Sequence, residues 1–123
     1  MIGTGNFNEI TAQLYSDHIL ITKDKRLTLS IQSIFNFFDT NYNVSNFKHL
    51  IVSPFNMRNK FTKLINTEIL NAQNGEEAYI KLKLNNLVDK SIVKLLYKAS
   101  QADVKVKLIV RSMFSVAAHP SSR

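Results

Sequence analysis

Apolar and polar positions alternate with two different periods along this chain, and the periods separate its elements. Leu27, Ile31, Ile34, Phe35 and Phe38 recur at helical spacing, which predicts a helix over about residues 27–38. Residues 40–46 read Thr-Asn-Tyr-Asn-Val-Ser-Asn, uncharged and rich in turn formers, and are the best linker candidate. Residues 49–53 form a short apolar run stopped by Pro54, read as a buried strand. Met57, Phe61, Leu64, Ile65, Ile69 and Ala72 return to helical spacing, and Asn74-Gly75 supplies a stop. Residues 79–84 alternate with period two and predict a second strand. Asp89 can cap a helix whose apolar stripe is Ile92, Val93, Leu95, Leu96 and Ala99. Residues 104–111 predict a third strand. Strand–helix–strand–helix–strand with short connections predicts an α/β fold, mainly a parallel β-α-β-α-β sheet. A strand–helix segment precedes it.

The last two strands place charge on one side. Ile80, Leu82 and Leu84 face opposite to Lys81, Lys83 and Asn85; Val104, Val106, Leu108 and Val110 face opposite to Lys105, Lys107 and Arg111. Two readings of this basic face stand side by side: a solvated face that keeps the sheet soluble, or a face whose upper end binds anions. Composition sharpens the question. Sixteen Lys and Arg against nine Asp and Glu leave a net charge of +7 over 123 residues, which favours anionic partners. With no cysteine, disulfide frameworks, thiolate metal sites and a Cys nucleophile are excluded. No apolar run approaches the ~20 residues of a membrane span. The opening ten residues lack the basic and apolar regions of a secretory signal, so a cytoplasmic chain is expected. The aromatic residues fall mostly at helix-core spacing rather than as a stacking platform, so nucleic acid is not the expected partner.

Ligands of open α/β sheets bind beyond the carboxyl ends of the strands. That rule selects Ser53, Asn85, Asn86 and Arg111. Arg111 carries a planar fork matched to phosphate oxygens; the alternative is a surface arginine that simply closes a strand. Gly3-Thr4-Gly5-Asn6 lacks the Lys-Ser/Thr of a P-loop and is either a tight polar turn or a bend that lets backbone N–H groups approach a phosphate. His18, His49 and His119 are far apart, with no second ligand at metal spacing, and no metal site is expected. No catalytic residue is assigned from the pattern.

The run Ile2-Gly3-Thr4-Gly5-Asn6-Phe7-Asn8-Glu9, with Leu14-Tyr15-Ser16-Asp17 after it, resembles bacterial polyphosphate kinase. So do Val52-Ser53-Pro54-Phe55-Asn56 with Arg58, Leu82-Lys83-Leu84-Asn85-Asn86-Leu87-Val88-Asp89, and Leu108-Ile109-Val110-Arg111. The likeness runs from about residue 2 to 111. It implies partial phospholipase D-like units spanning the junction of two C-terminal domains: the end of the first over 1–45, the start of the second over 46–111, and a divergent tail over 112–123. It implies an ATP–polyphosphate phosphotransferase acting through a phosphohistidine, with ATP as substrate and magnesium beside it. Tyr15 then corresponds to an ATP-contacting tyrosine and Arg111 to a nucleotide-phosphate-binding arginine, while Asn6, Lys83 and Asn85 line the site. The family's phosphohistidine lies in a His-x-Lys motif that this sequence does not contain, and Ser112 stands where the family has Gly. The expectation is therefore an internal piece of a larger enzyme, inactive alone and self-associating, the alternative being a non-catalytic nucleotide- or polyphosphate-binding module.

Overall fold

The computed structural model describes residues 1–40 and 47–115. The proposed linker lies outside the described residues apart from Thr40, as does the tail from 116. The chain divides into two compact units, Met1–Val52 and Ser53–Arg123.

The first unit is small and open. Strands β1 (Ile2–Gly3) and β2 (Ile19–Leu20) pair antiparallel, Ile2 opposite Leu20. Helix α1 (Glu9–Leu14) lies between them, and Asn8 caps it by accepting from the Thr11 N–H at 2.8 Å. Helix α2 (Lys25–Asp39) matches the predicted helix. Its cap, Asp24, accepts from the Arg26 backbone N–H at 2.9 Å and holds the Arg26 guanidinium at 2.6 Å. These hydrogen bonds, the side-chain one first, hold the Asp24 carboxyl down at about 2. Of the predicted apolar stripe, Leu27, Ile31 and Ile34 are half-buried, whereas Phe35 and Phe38 are exposed.

The second unit has the larger core. Helix α3 (Met57–Gln73), strand β3 (Tyr79–Leu84), helix α4 (Lys90–Gln101) and strand β4 (Lys105–Val110) follow one another. β3 and β4 are parallel and in register from Tyr79 opposite Lys105 to Leu84 opposite Val110. Ile65 and Ile69 of α3, Val93, Leu96 and Ala99 of α4, and Ile80 and Val104 form the buried cluster, with Leu82, Leu84, Val106, Leu108 and Val110 packed on it. Both helices thus cover one side of the sheet, as the alternation requires.

Both helices of this unit end in the same way. Gly75 takes a φ of 77°, the Gly75 N–H reaches the Ala72 carbonyl at 3.0 Å and the Glu76 N–H reaches that of Asn71 at 2.9 Å. This is the left-handed stop that glycine favours. After α4 the left-handed residue is Asp103, φ 63°, and the Val104 N–H returns to the Ala99 carbonyl at 3.1 Å.

One predicted strand is corrected. Residues 49–53 take no strand conformation; they run irregularly into a turn that precedes α3. An apolar run signals burial rather than pairing, and Leu50 and Val52 are half-buried without β geometry. Pro54, with no N–H to donate, favours the turn that follows. The α/β class and the parallel pairing hold; among the described residues the parallel sheet has two strands rather than three.

The starts of α3 and α4 are tied together. Asp89 caps α4 by accepting from the Ser91 and Ile92 N–H groups at 2.9 and 3.1 Å. Arg58 at the start of α3 meets its other oxygen through Nε at 3.1 Å and donates to Ser91 Oγ at 2.9 Å. The Ile92 N–H bond, helped by those from Ser91 and Arg58, holds the Asp89 carboxyl below its ordinary value. A depressed carboxyl contributes stability that is complete above the ordinary carboxylate range and is lost as pH falls through the folded value. Asp89→Ala should therefore melt at lower temperature than the unaltered chain at neutral pH, and the two melting temperatures should converge in acid. A constant gap in thermal melts down to low pH would contradict this role.

Candidate anion site at the carboxyl edge of the sheet

The chain leaving β3 and the chain leaving β4 stay joined past the strands. The Arg111 N–H donates to the Leu84 carbonyl at 3.0 Å, Ser112 to Asn85 at 2.8 Å and Leu87 to Met113 at 2.9 Å. Ser115 then donates to Leu87 at 3.1 Å. The Met113 N–H also donates to the Asn86 side-chain carbonyl at 3.1 Å. Leu87 and Phe114 form a parallel bridge, and Leu87 is buried.

This double-walled ledge carries the predicted site residues of the second unit. Arg111 and Asn85 are brought into contact: Arg111 Nε donates to Asn85 Oδ1 at 3.0 Å. A bond through Nε fixes the plane of the guanidinium, and a planar fork held in this way matches two phosphate oxygens at once. Both residues are exposed. Lys83 sits two residues back on the same strand, exposed and opposite Ile109 in the register. Of the four strand-end residues, Ser53 and Asn86 instead line a largely apolar cavity of about 700 Å³ beside α3 and β3, with Arg58 and Asp89.

Asn6 and Tyr15 belong to the first unit, where they line one cleft of about 520 Å³ with Phe7, Glu9, Ala12 and Asp17. This cleft holds two carboxylates and no Lys or Arg. Its shape depends on a clasp that sequence reasoning missed. The Thr4 hydroxyl donates to Asp17 Oδ1 at 2.8 Å, and the His18 N–H donates to Thr4 Oγ1 at 3.0 Å. The Asp17 carboxylate lies so close to Gly5 that a Cβ there would collide with it. Glycine at position 5 thus leaves room for the Asp17 carboxylate, and a larger residue there would push it out of the clasp. Residues 13 and 14 positions apart make the clasp, so no local pattern announces it.

Among the described residues no three His, Asp or Glu side chains gather to hold a metal ion, and none of their helices is long and apolar enough to cross a membrane.

A parallel αβ unit with an arginine fork held at its strand ends has a polar, cationic group where open α/β sheets bind their ligands. The family model for polyphosphate kinase C-terminal domain 2 matches residues 50–122, and that for C-terminal domain 1 matches residues 1–44. Polyphosphate kinase of Yersinia pestis is 51% identical over 115 residues, 94% of this chain and 17% of that protein. The Escherichia coli K12 polyphosphate kinase is 50% identical over the same shares. The crystal structure of polyphosphate kinase from Porphyromonas gingivalis superimposes with a TM-score of 0.87 at 39% identity, covering 99% of this chain and 19% of that one. The chain belongs to the polyphosphate kinase family. It spans about a sixth of the length of these relatives.

Proposed function

We propose that this chain supplies the nucleotide- and phosphate-facing edge of an ATP–polyphosphate phosphotransferase. In that reaction the terminal phosphoryl group of ATP passes to a histidine nitrogen, releasing ADP, and then to the terminal oxygen of polyphosphate, freeing the histidine. Phosphoryl transfer relies on charge neutralisation and positioning more than on covalent work by the protein. The observation that carries the reading is the 3.0 Å contact between Arg111 Nε and Asn85 Oδ1 at the strand ends. Arg111 takes phosphate oxygens, Asn85 holds its plane, and Lys83 adds charge. Tyr15 and Asn6 line a cleft of the first unit whose two carboxylates disfavour phosphates and suit a base and a sugar better. Magnesium bound to the nucleotide would neutralise part of the charge on its phosphates. An ATP-dependent reaction fits a cytoplasmic location.

The described histidines do not serve as the nucleophile in this reading. His18 belongs to the clasp of the first unit, where its N–H donates to Thr4 Oγ1 at 3.0 Å. His49 sits in the irregular run before α3. The third, His119, lies outside the described residues. Self-association follows from the apolar surface of the first unit, where Phe7, Ile10 and Leu14 are all exposed.

The purified chain, incubated with γ-labelled ATP, magnesium and polyphosphate, should bind both ligands with affinities that weaken as salt rises. It should form neither labelled polyphosphate nor labelled protein. Robust product, a stable phosphoenzyme or binding that ignores salt would overturn this reading.

A further inference from the structure

We propose that the face of the β3–β4 sheet opposite helices α3 and α4 is a track for linear polyphosphate that leads to Arg111. The proposal rests on the phosphotransferase reading above and extends it to surface well away from the strand ends. Both helices of the second unit pack on the opposite face. The free face presents Lys81 and Lys83 from β3 and Lys105, Lys107 and Ile109 from β4, all exposed. The alternation continues into Asn85 and Arg111 one step past the paired strands. Five of the chain's 16 Lys and Arg thus lie in two adjacent rows. The six residue steps from Tyr79 to Asn85 span about 20 Å of strand.

Three features point to a polyanion rather than to a merely solvated face. Lys81 stands directly opposite Lys107 in the register, and like charges in that position are destabilising, a cost that an anion bound between them would relieve. Among the described residues the acid touching these rows is Glu77, 3.8 Å from Lys105 at the end far from Arg111, in a pair exposed on both sides. The middle of the face, Lys81, Lys83 and Lys107, has no carboxylate partner among the described residues. Two parallel rows of cations then fit a narrow chain with charge at every repeat. Nucleic acid fits less well. The one aromatic ring on the face, Tyr79, has the Lys81 ammonium 4.9 Å from its centroid, so bases find no stacking platform.

The test compares the unaltered chain with Lys81→Gln/Lys107→Gln, two exposed substitutions outside the Arg111 site. Three probes are titrated at several salt concentrations: long-chain polyphosphate, tripolyphosphate and ATP. Circular dichroism confirms that both proteins are folded. The double variant should bind the long chain about tenfold more weakly at low salt, with the slope of log affinity against log salt reduced by about two. Tripolyphosphate and ATP should bind equally to both proteins, and Lys81→Arg/Lys107→Arg should retain long-chain affinity. Unchanged long-chain binding in the double variant overturns the track and leaves the Arg111 reading standing. Long-chain binding that depends on the lysines, with no binding of tripolyphosphate or ATP by either protein, supports the track and overturns the Arg111 reading. No binding of any probe by the unaltered chain overturns both. Tighter binding of a single-stranded oligonucleotide of equal charge than of polyphosphate overturns the choice of ligand.

Discussion

Arg111→Ala should weaken binding of ATP and of tripolyphosphate by about ten- to a hundredfold while leaving the melting temperature nearly unchanged. The range follows from the ~1.5–3 kcal/mol of a hydrogen bond to a charged group, at tenfold per ~1.4 kcal/mol. Stability should hold because Arg111 is exposed and its backbone N–H, which bonds the Leu84 carbonyl at 3.0 Å, survives the substitution. Arg111→Lys should fall between, keeping charge but losing the fork. Asn85→Asp should also weaken binding, since a carboxylate at 3.0 Å from Nε would compete with phosphate for the guanidinium. Isothermal titration at two salt concentrations reads all three. Unchanged affinity in Arg111→Ala would remove this residue from the site.

Leu96→Ala should cost about 2–5 kcal/mol, because a buried leucine loses both its transfer energy and the packing around the cavity it leaves. Leu96 is 4% exposed and belongs to the cluster of Ile65, Ile69, Val93, Ala99 and Val104. It lies on α4, the helix that connects the two parallel strands. A loss of this size is a large share of the ~5–15 kcal/mol typical of a whole domain. The unit should unfold at markedly lower urea, and ATP binding should disappear with it, since the ledge depends on strands that α4 holds in place. The exposed neighbour Lys94→Ala should shift the midpoint little. Urea melts followed by circular dichroism decide the matter; equal midpoints for Leu96→Ala and Lys94→Ala would show that the core is elsewhere.

The parts legible in the sequence are those where one residue's environment repeats at a fixed period. β3, β4 and the stripe of α4 could be read because each buries one side and wets the other. The stop at Asn74-Gly75 could be read because a left-handed residue favours glycine. The equivalent stop at Asp103 went unread, since aspartate marks many other turns. Strands β1 and β2 have two residues each, too short for any period. The run at 49–53 misled because hydrophobicity there reports burial and says nothing of a partner strand. At the site, the rule of strand ends brought Asn85 and Arg111 onto one short list. Their direct bond depends on a register of one strand against another, which no single segment encodes. The clasp of Thr4, Asp17 and His18 is hidden for the same reason.

The stitched ledge beyond β3 and β4 has a consequence for how this segment can change. Surface turns usually accept extra residues, because nothing counts them. Here the bonds from Ser112 to Asn85, from Met113 to Asn86 and between Leu87 and its two partners pair the departing chains residue for residue. One added residue on either side would put every later donor out of step and swing the guanidinium away from its amide. An insertion on either side of this stretch should therefore cost the ledge more than the exchange of one side chain for another.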